Sequence, residues 1–283
     1  MGGNRRPGRA LLAAVCALLC LSCLQAARAA AAEETVGYNS AAMSPRQTAR
    51  SYGARLQETA LGNLAADALR VRTGAEGALL RGGRLVRSLP EGPVTSAGIR
   101  EIFDGEIPVV LIRIPAGQLF DLLEYGVSRV ALDETECIDA ASGFDGFLQI
   151  SGFSFVYDPS QLPMGRVSSV TMDDGRRLSR DTQDTLTLAV ERDMTEGAQG
   201  CSVLEGIPAE PAGTAAELLE GYIRQVERVE KPPLGRVTVR GTMERTLYQQ
   251  LQMERWLPYL ILIVLLIRLP KLRSGSAGRG TER

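Results

Sequence analysis

The run "AGQLFDLLEYGV" places Leu119, Leu122, Leu123 and Val127 at helical spacing, which predicts a helix with one packed face. "PVVLIRI", immediately before it, is a continuous apolar run of strand length ending at Pro115. Leu61, Leu64, Ala65, Ala68 and Leu69 recur with the same helical period inside Leu56–Arg72. "SAGIREIFDG" reads as a short helix capped by Ser96. "FLQISGFSFVYD" alternates in two short runs broken at Gly152, predicting strand, bulge or turn, strand. "RVSSVTMDDGRRL" sets Asp-Gly between strand-like flanks, a hairpin signal. "DTLTLAVE" is a further strand, "TAAELLEGYIRQVERV" a helix and "GRVTVRG" a closing strand. Helices and strands mix irregularly rather than in strict alternation, so the fold class is α+β with a mixed sheet, one domain spanning residues 33–241.

The two ends carry a different pattern. Residues 1–32 run from Arg5, Arg6 and Arg9 through an apolar stretch to "ARAAAAE", the order of a secretory signal peptide. Cys23 raises lipidation as an alternative, although Cys20 stands where that signal takes leucine. After a polar neck over 242–255, residues 256–269 read as a transmembrane helix. Such a helix is about 20 Å long against a hydrocarbon core of about 30 Å, a deficit that Arg255 and Arg268 offset by snorkelling. Lys271, Arg273, Arg279 and Arg283 follow in a basic tail, 270–283, as the positive-inside bias expects. The expected arrangement is a single-pass protein of the cell membrane, with the domain outside the cytoplasm and a bacterial cell surface as its setting.

Charge and cysteine content narrow the picture. Residues 29–253 hold 22 Lys and Arg against 31 Asp and Glu, so the body is acidic although the whole chain is near neutral. An acidic body disfavours nucleic acid and anionic lipid surfaces as partners. Outside the signal only Cys137 and Cys201 remain. In an oxidising compartment they either pair, closing a loop worth about 4 kcal/mol, or stay as two buried thiols. The chain has no histidine, so no serine–histidine or cysteine–histidine pair exists to build a nucleophilic site. Asp173-Asp174 and "LDETECID" are acidic clusters better explained by a turn and a solvated loop, so no metal site and no cofactor are expected.

Five segments, "ETALGNLAADAL", a degenerate Gly-Gly segment with "SLPEGPVT", "VVLIRIPAGQLFDLLEYGV", "FLQISGFSFVYD" and "GRVTV", stand in the order found in one family. The stretch from Val36 to Gly241 resembles the C-terminal domain of the 5′-nucleotidase family, which includes UDP-sugar hydrolases and cyclic phosphodiesterases. In that family this domain recognises the nucleoside, and a separate N-terminal metallophosphatase domain hydrolyses the phosphate with two metal ions. The residues between the signal and "RLQETALGN" carry no Asp and no His, so the resemblance implies a domain without its catalytic half.

Carried over position by position, the resemblance puts Arg55 on the phosphate side of the pocket. Arg81 stands at a pocket asparagine, Val86 at a pocket arginine, and Arg84 at a glycine, with Arg87 one place late. Asp104 occupies the place of one stacking aromatic and Cys201 that of the other, while Glu106 and Gln199 replace an asparagine and an aspartate. Each lost ring removes about 1–3 kcal/mol of base stacking. Arg81, Arg84 and Arg87 are left as an anion-binding patch for phosphate or carboxylate, or as solvated arginines paired with the acidic surface. The resemblance thus implies a domain non-catalytic alone, acting as a ligand-binding or interaction module. Its rival is the substrate-recognition half of a phosphohydrolase of nucleotide catabolism, with a metallophosphatase partner chain and a nucleotide or other anionic small molecule as ligand.

Overall fold

In a computed structural model, residues 34–46 and 52–241 are described. The signal peptide, Cys23, the neck, the transmembrane segment and the basic tail all lie outside the described residues. Among the described residues, no helix is long and apolar enough to cross a membrane.

A five-stranded mixed sheet forms the middle layer. It takes β2 (Gly77–Arg81), β4 (Pro108–Pro115), β5 (Leu148–Ser151), β9 (Thr185–Glu191) and β10 (Ala209–Thr214) in the order β10-β4-β9-β2-β5. Only β2 and β9 run parallel; their neighbours are antiparallel. Alternate residues of each central strand enter opposite apolar cores, as a pleat with period two requires. Val110, Ile112 and Ile114 of β4, Leu79 of β2 and Leu186, Leu188 and Val190 of β9 face one core. Val109, Ala78, Leu80 and Ala189 face the other. Burial on both faces explains the apolar run at the start of β4.

The first core is closed by α3 (Ala116–Val127) and by a sheet ordered β12-β6-β7-β8. That sheet comprises β6 (Phe153–Tyr157), β7 (Val167–Met172), β8 (Arg177–Leu178) and β12 (Val237–Val239). The second core is closed by α1 (Ala60–Thr73), α2 (Ser96–Ile102), α4 (Ala215–Val226) and a three-stranded sheet. This last sheet joins β1 (Thr35–Asn39), β3 (Gly92–Thr95) and β11 (Arg228–Val229).

Local chemistry sets the element bounds. α3 coincides with the apolar period that predicts it. α1 begins at Ala60 rather than Leu56, because Thr59 is extended and its hydroxyl accepts from the Gly62 amide. For the same reason α2 is capped by Thr95, whose hydroxyl accepts from Gly98, and not by Ser96. Thr214 and Glu217 form a capping box at the start of α4. Gly152, with φ of 90°, is where the chain leaves β5 for β6 in another sheet. A Cβ there would lie 2.1 Å from the Glu76 carbonyl oxygen, so only glycine makes this passage.

The polar residues of "ETALGNLAADAL" bind far along the chain. Buried Glu58 accepts from the Asn63 amide group at 2.6 Å and from the backbone of Gly235 at 2.8 Å and Val237 at 3.1 Å. Asn63 also donates to the Pro233 carbonyl at 2.9 Å. Asp67 takes a two-pronged contact from Arg236, with both bonds at 2.8 Å. Asn63 and Asp67 join Glu58 in a clamp on the segment leading into β12. Gly62 is inside α1, where its missing Cβ admits the Gln149 side chain.

Candidate functional site

β2 and β9 run parallel, so their carboxyl ends lie side by side. Arg81 ends β2 and leads into the Gly82–Arg84 turn; Glu191 ends β9 and leads into a turn carrying Asp193. A Cβ on Gly82 would stand 1.7 Å from the Ala54 carbonyl oxygen, which fixes glycine at this close approach. The turn therefore holds both arginines against both carboxylates.

Glu191 accepts from the Arg81 backbone amide at 2.5 Å, from its Nε at 3.0 Å and from its Nη2 at 2.6 Å. Arg84 Nε reaches the same carboxylate at 2.9 Å. Asp193 accepts from Nη2 of Arg81 at 2.5 Å and from Nη2 of Arg84. The side chains of Arg81 and Glu191 are only 3% and 1% exposed, so each charge needs the other. Burial opposes the charge on Arg81, yet hydrogen bonds and charge from Glu191 and then Asp193 outweigh it and hold the guanidinium above its ordinary value.

Above this cluster is a cavity of about 180 Å³ lined by Arg81, Gly83, Arg84, Asp104, Asp145, Asp193 and Gln199. Arg81, Arg84, Asp104 and Gln199, scattered over more than a hundred positions, are thus brought to one place. Arg55 pairs with Asp145 at 2.5 Å on the rim and lines a neighbouring hollow with Tyr52 and Val86. Arg87 stands apart, in an exposed pair with Glu101 at 3.3 Å. The four arginines do not form one patch. Two of them already share Glu191 and Asp193, and the cavity wall carries more carboxylates than guanidinium groups.

Cys201 is buried in the core beneath α3, and burial pushes its thiol up to about 11. Cys137 is buried separately, in the loop joined by the Leu132–Ile138 bridge. Both are free thiols, so the disulfide alternative gives way to that of two buried cysteines. Among the described residues, no three His, Cys, Asp or Glu side chains are grouped to hold a metal ion.

Glu191, Asp193 and Asp145 are site residues that the sequence reading passed over. One signal was available: "DTLTLAVE" ends a buried strand on a carboxylate, and a charge at such a position calls for a cationic partner.

A mixed central sheet between two helix-and-strand layers, with a crevice at the ends of parallel strands, defines an α+β domain. Residues 35–206 match the 5′-nucleotidase, C-terminal domain family, and the chain belongs to it. A 5′-nucleotidase precursor from Thermus thermophilus superposes with a TM-score of 0.63 at 24% identity, over 77% of this chain and 42% of that one. The NAD nucleotidase of Haemophilus influenzae gives a TM-score of 0.62 at 12% identity, over 79% and 41%. The endonuclease YhcR of Bacillus subtilis (strain 168) is 25% identical over 175 residues, 62% of this chain and 13% of the relative. The chain spans less than half the length of each of these relatives. The structural likenesses establish the fold.

Proposed function

We propose that this chain is a membrane-anchored, extracytoplasmic interaction module that is non-catalytic on its own. The observation that carries the reading is the Arg81–Arg84–Glu191–Asp193 cluster. Where the family resemblance expects groups that receive a nucleotide, the arginines are neutralised by carboxylates of their own chain. Asp104 and Asp145 add negative charge to the same wall and repel a phosphate. Asp104 and Cys201 offer no ring on which a base could stack. With no histidine in the chain, no imidazole is present to act as base or metal ligand.

A thermal-shift titration of the detergent-solubilised full chain tests this. A nucleotide at about a hundred times its Kd would stabilise the fold by about 2.7 kcal/mol. The expected result is no shift with nucleosides, nucleotides, nucleotide sugars or phosphate, and no phosphate release. A nucleotide shift abolished by Arg55→Ala would overturn the reading.

The convergence of Arg81, Arg84, Asp104 and Gln199 on one cavity favours a second reading, in which the domain is the substrate-recognition half of a nucleotide phosphohydrolase completed by a metallophosphatase chain. Domain interfaces resemble those between proteins, so such a division is physically reasonable. Recovery of a metallophosphatase-like chain from native membranes together with this protein would raise this reading above the first.

A further inference from the structure

The loop Asp158–Arg166, between β6 and β7, ends in an apolar tip of Leu162, Pro163 and Met164, all exposed. Leu162 is 83% exposed and Met164 58%. Met164 adopts φ of 70°, a left-handed conformation that a side chain of its size rarely takes. A strained, exposed apolar residue in a loop points to function rather than packing.

The loop is held firmly from below. The Asp158 amide donates to the Arg166 carbonyl at 3.0 Å and closes the base. Asp158 accepts from the Ser160 amide at 2.9 Å and hydroxyl at 2.6 Å, and these bonds, the hydroxyl first, hold its carboxyl below its ordinary value. The buried Arg166 guanidinium donates to the carbonyls of Val127 at 2.6 Å, Ser128 at 3.2 Å and Val130 at 2.7 Å, tying the loop to the end of α3. It reaches Gln161 within the loop as well, at 3.1 Å. The tip is thus presented on a rigid base, so contact costs little ordering entropy.

The chain leaves the described fold beside this loop. β12 runs parallel to β6, Val239 pairs with Tyr157, and the Arg240 amide donates to the Tyr157 carbonyl at 2.8 Å. Gly241 abuts Asp158, and a Cβ there would lie 2.6 Å from its carboxylate. From this point the sequence continues to the uninterrupted apolar run Leu257–Ile267. Leu162 is four residues past Asp158, so at most about 14 Å of chain separates it from the exit point.

We propose that the Leu162–Pro163–Met164 tip is a lipid-contacting surface that dips into the outer face of the bilayer holding the C-terminal anchor, and so fixes the domain's orientation. The inference rests on the anchored reading given above. Two apolar side chains bind a bilayer weakly in free solution, but a tether raises their effective concentration at the surface enough for contact to persist. Leu234 supplies the contrast. It is 58% exposed and precedes β12, so it lies toward the end of that strand remote from Gly241.

The chain has a single tryptophan, Trp256, which makes the test direct. Three single-tryptophan full chains are reconstituted in phosphatidylcholine vesicles: the wild type, and Leu162→Trp and Leu234→Trp each combined with Trp256→Phe. Phosphatidylcholine brominated on its acyl chains near the headgroup then quenches fluorescence on contact. Expected is quenching of Trp256 and of the residue-162 probe, none of the residue-234 probe, and at least about a twofold loss of residue-162 quenching on adding Met164→Asp. Quenching of Trp256 without the residue-162 probe overturns the loop contact and leaves the anchor standing. Quenching of both the 162 and 234 probes shows general adsorption and also overturns it. If the 162 probe is quenched while Trp256 is not, the loop contact stands and the anchor reading falls; quenching of none of the three removes both.

Discussion

The Arg81–Glu191 cluster and the Arg236–Asp67 clamp use one pair chemistry at two depths. In the first, Arg81 and Glu191 are almost dry, with Arg84 and Asp193 reaching toward the crevice at 25% and 32% exposure. The second is 22% and 17% exposed and fastens the last strand to the first helix. A fully buried pair repays its desolvation only while complete, whereas a pair with about a fifth of its surface open keeps some water as a substitute partner. The crevice cluster is therefore the more sensitive to loss of one member, and the clamp the more tolerant. The charges of the crevice satisfy one another, while the polar side chains of the scaffold bind distant backbone.

The largest expected effect is Arg81→Leu, which leaves Glu191 buried with Arg84 alone. Stability should fall by about 3–5 kcal/mol in urea denaturation, and Arg81→Leu with Glu191→Leu should recover most of it. An Arg81→Leu protein as stable as wild type would remove the distinction between the clusters. Next is Glu58→Ala, which strips the acceptor from Gly235, Val237 and Asn63. A loss of about 2–3 kcal/mol is expected, with faster amide exchange at Gly235 and Val237 than in the central sheet. Asp67→Asn should cost about 1 kcal/mol or less, because Arg236 can turn to water. The gentlest probe is pH. Burial lifts the Cys201 thiol from 9.0 to about 11. It binds its proton more tightly folded than unfolded, so stability is intact below pH 9 and declines as pH rises toward 11. Cys201→Ala should flatten that decline in urea titrations across the range.

Much of the scaffold was legible because its signals are local. The period of Leu119, Leu122, Leu123 and Val127 yields α3, Asp-Gly yields the β7–β8 hairpin, and Gly152 marks the passage between sheets. β10 was not legible, since "AEPAGT" is an exposed edge with no apolar alternation and a proline at an irregular register. Thr95 and Ser96 are equal as caps on paper, and only the extended backbone at Thr95 decides between them. Arg81, Arg84, Asp104 and Gln199 were placed together by family resemblance, and the fold does bring them to one cavity. Their partners Glu191 and Asp193 were missed because ion pairing across a hundred residues leaves no trace in spacing. The reach of Asn63 and Asp67 to the segment before β12 is hidden from the sequence for the same reason.

The clamp on the segment before β12 also determines how the domain bears a mechanical load. A pull at Gly241 along the strand axis draws β12 past β6, stretching Val237, Thr238 and Val239 together against their ladder. The fastening at Glu58 and Asp67 lies upstream of the ladder, toward the end remote from the pull. Such a geometry shares tension among several bonds at once, as a lap joint does, whereas a pull across the strand would peel one bond at a time.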